Sequence, residues 1–265
     1  MNTDYRGTVV SYTSDGTGYP VVLLHGYLEA KEAWEMLSAD LSRSYRVISI
    51  DLPGHGASGI ISGIHTMELM AGAVHSVIEK EKCGKVILAG HSLGGYVALA
   101  FAELYPELLA GYILFHSHPH ADSAEAINKR NREIAIVEAG RKNLMYPANV
   151  SMMFAEKNLS RMPDALVRME MIASRCPDEG IISVLRGMMA RPSRVHVIEE
   201  GRIPLLWILG RHDLYFTPEK ALGDVKLPGN CRVVIMEDSG HLGFIEEPDH
   251  SAAIITKFAE ELKYR

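Results

Sequence analysis

Val86-Ile87-Leu88-Ala89-Gly90-His91-Ser92-Leu93-Gly94-Gly95-Tyr96-Val97 is the stretch from which the fold is read. Four apolar residues run into a Gly-X-Ser-X-Gly pentapeptide, and apolar residues at helical spacing (Val97, Ala98, Phe101, Ala102) begin at once. The pattern predicts a buried strand that turns into a helix at Ser92. Glycines two positions either side of the serine let the two backbone limbs approach closely, and the serine is left in a strained turn with Oγ clear of the chain. The first amides of the new helix aim at the same point, where they can stabilise a developing oxyanion.

Upstream, Thr8–Tyr12 reads as a strand and Asp15-Gly16-Thr17-Gly18 as its turn. Val21-Val22-Leu23-Leu24 is a continuous apolar run, as expected of a strand covered on both faces, and it ends in His25-Gly26-Tyr27. A helix is predicted from Ala30 to Leu41, a strand over Arg46–Ile50, a glycine-rich loop over Asp51–Ser58, and a helix carrying the stripe Met67, Met70, Ala71, Val74, Val77, Ile78. Downstream, the Ser92 helix stops near Tyr105-Pro106 and the strand Gly111–Phe115 follows. From Ala121 to about Pro192 there are four helical patterns and no strand: Ala124–Ala139, Ala148–Asn158, Asp164–Ser174 and Glu179–Ala190, the last with Asp178 as its expected cap. Alternation resumes with the strand Pro204–Gly210, a helix from Pro218, the strand Arg232–Met236 and a last amphipathic helix through Ile254, Ile255, Phe258 and Leu262.

The chain therefore reads as an α/β protein with a mostly parallel, doubly wound sheet and one all-helical insertion. The expected domains are a core of residues 1–116 and 198–265 and a helical cap of residues 117–197. At 265 residues the chain suits one such domain with an insertion, and a net charge of −6 argues against a nucleic-acid partner. The insertion carries 12 Lys/Arg against 9 Asp/Glu, so it is positive while the remainder carries −9. That is the balance of solvated helix faces or of a mildly cationic lid over an anionic substrate. Eight of the 13 methionines lie between Met145 and Met189, where they pack small helices or line an adjustable pocket. Cys83, Cys176 and Cys231 form no paired motif, and no run approaches a membrane span, so a cytoplasmic protein with no membrane partner is expected.

A serine hydroxyl is a poor nucleophile at neutral pH and needs a base, which in turn needs an orienting carboxylate. In open parallel sheets the working groups gather beyond the carboxyl ends of strands. Asp213, three residues past Gly210, and His241, five past Met236, stand there, in the chain order Ser, Asp, His. Taken with His25-Gly26, the Asp51-Leu52-Pro53-Gly54-His55-Gly56-Ala57-Ser58 loop, Gly210-Arg211-His212-Asp213 and Ser239-Gly240-His241, the elbow resembles the α/β-hydrolase fold superfamily, serine-nucleophile branch. The likeness covers nearly the whole chain apart from the insertion, which resembles the helical cap placed after the sixth strand. The resemblance implies Ser92 as nucleophile, His241 as base, Asp213 as acid, and the amides of Tyr27 and Leu93 as the oxyanion hole. It implies no cofactor and no metal. Gly187-Met188-Met189-Ala190-Arg191-Pro192 is similar to esterase, enol-lactonase and haloperoxidase-like members, and serine in the elbow departs from the aspartate of epoxide hydrolases and haloalkane dehalogenases.

The expected activity is therefore that of a serine hydrolase cleaving a small or medium ester, thioester or lactone, with a small acyl compound as partner. The rivals are a C–C bond hydrolase of ring-cleavage products, with Arg132, Arg141 or Arg168 binding a carboxylate, and a non-catalytic ligand receptor on the same fold. Asp238 lies near His241 in sequence but reads as a turn former before Gly240. His116, His118 and His120 alternate as in a metal site, yet Pro119 disturbs the spacing and no carboxylate or cysteine completes a set; pocket lining or a hinge are the other readings. His25, His55 and His91 are expected to shape the loops around the site by hydrogen bonding.

Overall fold

The computed structural model describes residues 1–263, so Tyr264 and Arg265, the end of the expected core domain, lie outside the described residues. Its eight strands are β1 (Asn2–Tyr5), β2 (Thr8–Asp15), β3 (Pro20–Leu24), β4 (Arg46–Ile50), β5 (Val86–His91), β6 (Leu109–Phe115), β7 (Leu205–Gly210) and β8 (Cys231–Met236). They form one sheet in the order β1-β2-β4-β3-β5-β6-β7-β8, in which β2 pairs antiparallel with both β1 and β4 and every pairing from β4 to β8 is parallel. β3, β5 and β7 are buried along their whole length, which is why they read as unbroken apolar runs. Each fully buried Val, Leu or Ile there contributes about 1.5–3 kcal/mol. β8, an edge strand, is only half-buried except at Met236.

Helices α1 (Glu35–Leu41), α2 (Met67–Lys80) and α3 (Leu93–Leu104) connect the first parallel strands. The helix expected from Ala30 starts instead as a 3₁₀ turn at Lys31–Trp34. α2 begins at Thr66, whose side chain accepts from the Leu69 amide at 3.2 Å. β3 lies between β4 and β5, and the chain leaves β3 towards one side and β5 towards the other. The crevice beyond the carboxyl ends of β3 and β5 is thus the switch point of the sheet, the place where open α/β sheets hold their ligands.

The insertion between β6 and β7 holds α4 (Ala124–Glu138), α5 (Tyr146–Met153), α6 (Glu156–Leu159), α7 (Pro163–Ser174), α8 (Asp178–Ala190) and α9 (Val195–Glu199). The pattern read as one helix over Ala148–Asn158 is two, because Phe154 and Ala155 are extended, with ψ of 149° and 138°. Asp178 is the first helical residue of α8 and not its cap; Pro177 precedes the helix, and Asp178 pairs with Lys142 at 2.9 Å. The Arg194 amide donates to Pro119 O at 2.7 Å, so the segment leaves and rejoins the sheet at one place. Arg194 itself is buried and ties that junction to Glu68 of α2 and Glu103 of α3. α9, which no pattern marked, lies against α3 and spans the boundary expected at residue 197. The chain closes with α10 (Pro218–Leu222), α11 (Gly243–Glu246) and α12 (Pro248–Lys263). Among the described residues no helix is long and apolar enough to cross a membrane.

Candidate active site

Ser92 sits between β5 and α3 with φ 47° and ψ −110°, a conformation costing a non-glycine residue on the order of 1–3 kcal/mol. Leu28 (φ 62°) and His116 (φ 45°) are also left-handed, so the chain is strained where it leaves each of β3, β5 and β6. The glycines of the elbow are explained by contact: a Cβ on Gly90 would lie 2.1 Å from Gly94 O, and one on Gly94 would lie 2.4 Å from Leu24 O. Gly90→Ala should therefore destabilise the fold by about 3 kcal/mol, seen as a drop of roughly 6–12 °C in Tm. A melting temperature within 2 °C of native, taken as about the smallest resolvable shift, would show that the elbow is not packed this tightly.

Beyond β7, the Asp213 carboxylate is buried and fully engaged: Oδ1 accepts the Tyr215 and Phe216 amides at 2.8 and 3.2 Å, and Oδ2 accepts His241 Nδ1 at 2.6 Å. Asp238 is turned outward onto Lys157 at 2.5 Å. His241 is buried, its amide bonded to Met153 O at 2.6 Å, its ring packed on Tyr215 and Phe216 with centroids 4.9 and 5.3 Å away. His91, the residue before Ser92, reaches the His241 carbonyl with Nε2 at 2.8 Å, which brings the elbow and the histidine loop together. Among the described residues the Ser92 hydroxyl has no hydrogen bond to His241; such contacts are often long before substrate binds. Tyr27 follows β3 across the switch point from Leu93, the first residue of α3, and neither amide has an intramolecular acceptor among the described residues. An imidazole held by a buried carboxylate, on a loop bonded to the elbow that carries the strained serine, is equipped for proton transfer, and unengaged backbone amides are equipped for stabilising an oxyanion.

The three alternating histidines diverge. Burial holds His116 well below the ordinary imidazole range, so it is neutral; its Nε2 accepts the Gly243 amide at 3.2 Å and its Nδ1 faces Asp213 Oδ2 from 3.8 Å. His118, pushed down to about 3 by burial and then by Arg191, bonds the Tyr96 hydroxyl at 3.1 Å, and His120 reaches Ala221 O at 3.0 Å. His25 does shape its loop, with Nδ1 at 2.8 Å from Gly26 O and Nε2 accepting the Leu52 amide at 2.9 Å. His55 packs edge-on to His25, both rings completely buried.

Two groups were missed by sequence reasoning. Glu246 is a buried carboxylate whose oxygens accept the amides of Gly240, Leu242 and Ala155 and the Asn158 side chain, joining the His241 loop to α6. Its spacing from His241 carried no signal, since its partners are scattered. The arginines are the second: Arg168 pairs with Glu35 at the surface and Arg132 only touches the Asn128 carbonyl, while Arg130 and Arg191 turn inward and share Asp122. Arg191 also lies over the Tyr96 ring at 3.8 Å. On α4, Glu133 meets the Tyr27 hydroxyl at 3.4 Å and Asn149 at 3.3 Å, and the Tyr215 hydroxyl donates to Asn149 O at 2.9 Å. The insertion thus stands directly over the two loops that follow β3 and β7.

A parallel sheet with a strained serine turn at its switch point and a carboxylate-bound histidine beside it defines the α/β-hydrolase class of fold. The family pattern described as "Alpha/beta hydrolase family" matches residues 21–253, and the chain belongs to that family; it is a hydrolase. A thermophilic esterase from Thermogutta terrifontis superimposes with a TM-score of 0.92 at 29% identity, covering 98% of this chain and 97% of that one. A Bacillus subtilis (strain 168) protein provisionally named a 2-succinyl-6-hydroxy-2,4-cyclohexadiene-1-carboxylate synthase is 28% identical over 95% of this chain and 98% of its own length. The enol-lactonase from Burkholderia xenovorans LB400 shares the fold with a TM-score of 0.90 at 23% identity, covering 98% of this chain and all (100%) of that one.

Proposed function

We propose that the protein cleaves a small or medium carboxylic ester, thioester or lactone through a covalent acyl-enzyme on Ser92. The observation that carries this reading is the 2.6 Å bond from His241 Nδ1 to the buried Asp213 carboxylate. With Nδ1 so occupied, His241 Nε2 takes the Ser92 proton during attack and returns it to the leaving group, and the carboxylate stabilises the imidazolium formed on the way. The carbonyl oxygen gains charge as Ser92 Oγ bonds to carbon, and the unengaged amides of Tyr27 and Leu93 are the donors for it. Water then repeats the sequence on the acyl-enzyme. The likeness to an esterase over the whole chain supports ester cleavage.

Residues 117–197 act in this reading as a lid that sets specificity while the sheet sets chemistry. Glu133 and Asn149 are the insertion's polar contacts with the Tyr27 and Tyr215 loops. Alanine at either should change relative KM values across a chain-length series about tenfold, yet change kcat on a small activated ester less than about threefold. Uniform loss on every substrate would remove the lid from the specificity determinants.

The test is a panel of acyl esters, lactones and thioesters with native protein beside Ser92→Ala, together with fluorophosphonate labelling. Ring-cleavage diketones in the same panel test the C–C rival, which faster turnover of them than of any ester would favour, and labelling without turnover on any substrate would favour the receptor.

A further inference from the structure

Glu29 and His91 are completely buried, and the reaction proposed above uses neither. A buried carboxylate persists as an anion only where donors satisfy it. The Gly26 amide donates to Glu29 Oε2 at 2.7 Å, and His91 Nδ1 lies 3.0 Å from Oε1 and 3.1 Å from Oε2. The other nitrogen of the same ring, Nε2, is 2.8 Å from the His241 carbonyl oxygen. A carbonyl oxygen can only accept, so Nε2 carries a proton. The Gly26 amide favours the anionic form of Glu29, which places the remaining proton on Nδ1 and makes His91 an imidazolium. Burial alone would raise the Glu29 carboxyl, but His91 and the Gly26 amide bring it below the usual carboxylate range.

The surroundings are built for this pair. A Cβ on Gly26 would lie 2.7 Å from His91 Nδ1 and 2.8 Å from Glu29 Oε1, so glycine there is what lets the two groups meet against the loop. Trp34 and Phe244 stand edge-on around the His91 ring at 6.2 and 5.0 Å and close it off from water. The other titratable rings facing His91 are His241 at 4.8 Å and the neutral His116 at 6.3 Å.

We propose that Glu29 and His91 are positioning residues: one buried ion pair that fixes the loop bearing the Tyr27 amide, the residue preceding Ser92, and the backbone of His241 relative to one another. The proposal rests on the roles given above to Ser92, His241 and Tyr27. Neither side chain touches substrate. Glu29 acts through the Gly26 amide, one residue from the Tyr27 donor, and His91 acts through the carbonyl of His241. Three loops that arise at separate strand ends are thereby held in one register, which is what an oxyanion site needs, since misplacing a single donor costs on the order of 10²-fold in kcat.

Glu29→Ala frees Gly26 and leaves His91 Nδ1 without an acceptor. In the full-length protein kcat on an activated ester should fall about 100-fold with KM changed less than about threefold. Inhibition by an aryl trifluoromethyl ketone, which forms an oxyanion on the serine, should weaken in parallel with kcat/KM. Glu29→Gln keeps the geometry without the charge: its oxygen can take the Gly26 amide, and its NH₂ can donate to the Nδ1 of a neutral His91 that still bonds His241. It should regain activity to within about fivefold of native. Nitrogen-15 NMR of the native protein at pH 7 should show both His91 ring nitrogens protonated, and only one in Glu29→Gln. Glu29→Ala with native kcat and only a lowered melting temperature, Glu29→Gln as slow as Glu29→Ala, or a neutral His91 in the native protein would each overturn the proposal. A native protein with no turnover and no fluorophosphonate on Ser92 would instead overturn the reaction reading, and the His91 spectrum would still decide the ion pair.

Discussion

Ser92→Ala should lower kcat on every substrate of the panel by at least 10⁴-fold, in line with the loss of about 10⁴ to 10⁶ that follows removal of a serine nucleophile elsewhere. The substitution removes one oxygen, and that oxygen makes no hydrogen bond among the described residues, so folding should be little affected. Alanine tolerates the left-handed turn no better than serine, so the elbow's strain is unchanged and the melting temperature should move by only a degree or two, the scale of a change under about 1 kcal/mol. Fluorophosphonate labelling should vanish with activity. A variant that keeps more than a tenth of native turnover would mean that the nucleophile is elsewhere.

The second large effect is expected at the carboxylate. Asp213→Asn replaces an oxygen that accepts the His241 Nδ1 proton by a group that can present N–H in its place, which favours the wrong imidazole tautomer. kcat should fall by about 10⁴-fold at neutral pH. Asp238→Asn should cost less than about twofold, since the Asp238–Lys157 pair is exposed and screened by solvent and makes no contact with the imidazole. The two variants are measured side by side on one ester. The reverse ranking would move the acid to Asp238 and leave the 2.6 Å contact as a structural bond only.

What could be read in the sequence and what could not divide along a physical line. The buried parallel strands were legible because each must be apolar on both faces, so Val21–Leu24, Val86–Ala89 and Leu205–Leu209 announce themselves without reference to any neighbour. The elbow was legible because a turn that tight admits only glycine at Gly90 and Gly94, a demand that local backbone geometry writes into the sequence. β1 was not, since Asn2–Tyr5 carries no apolar face; the Arg6-Gly7 turn, with φ of 55° and 77°, was its one local trace. The break between α5 and α6 left no mark because it follows from the contact of residues 153–155 with the His241 loop, where a Cβ on Gly240 would stand 2.5 Å from the Ala155 amide.

Charged residues show the same division. Periodicity places Arg130, Arg132, Arg141 and Arg168 all on helices or their ends, but which guanidinium turns inward depends on Asp122 and Tyr96, which are remote in the chain from most of them. Nothing in the sequence marks Glu29 or Glu246, and both are buried, because their donors are amides and an imidazole brought to them by the fold. Asp213 and Asp238 both follow strand ends and were separable in sequence only because Asp238 reads as a turn former before Gly240, yet the bond to His241 is made by the tertiary fold alone. The sequence by itself determined the buried parallel strands, the elbow and the order of serine, aspartate and histidine, since each is fixed by short-range sterics or by burial of a whole segment. Which polar groups meet was decided only by the tertiary structure, because a buried charge is stable solely where distant parts of the chain bring it partners.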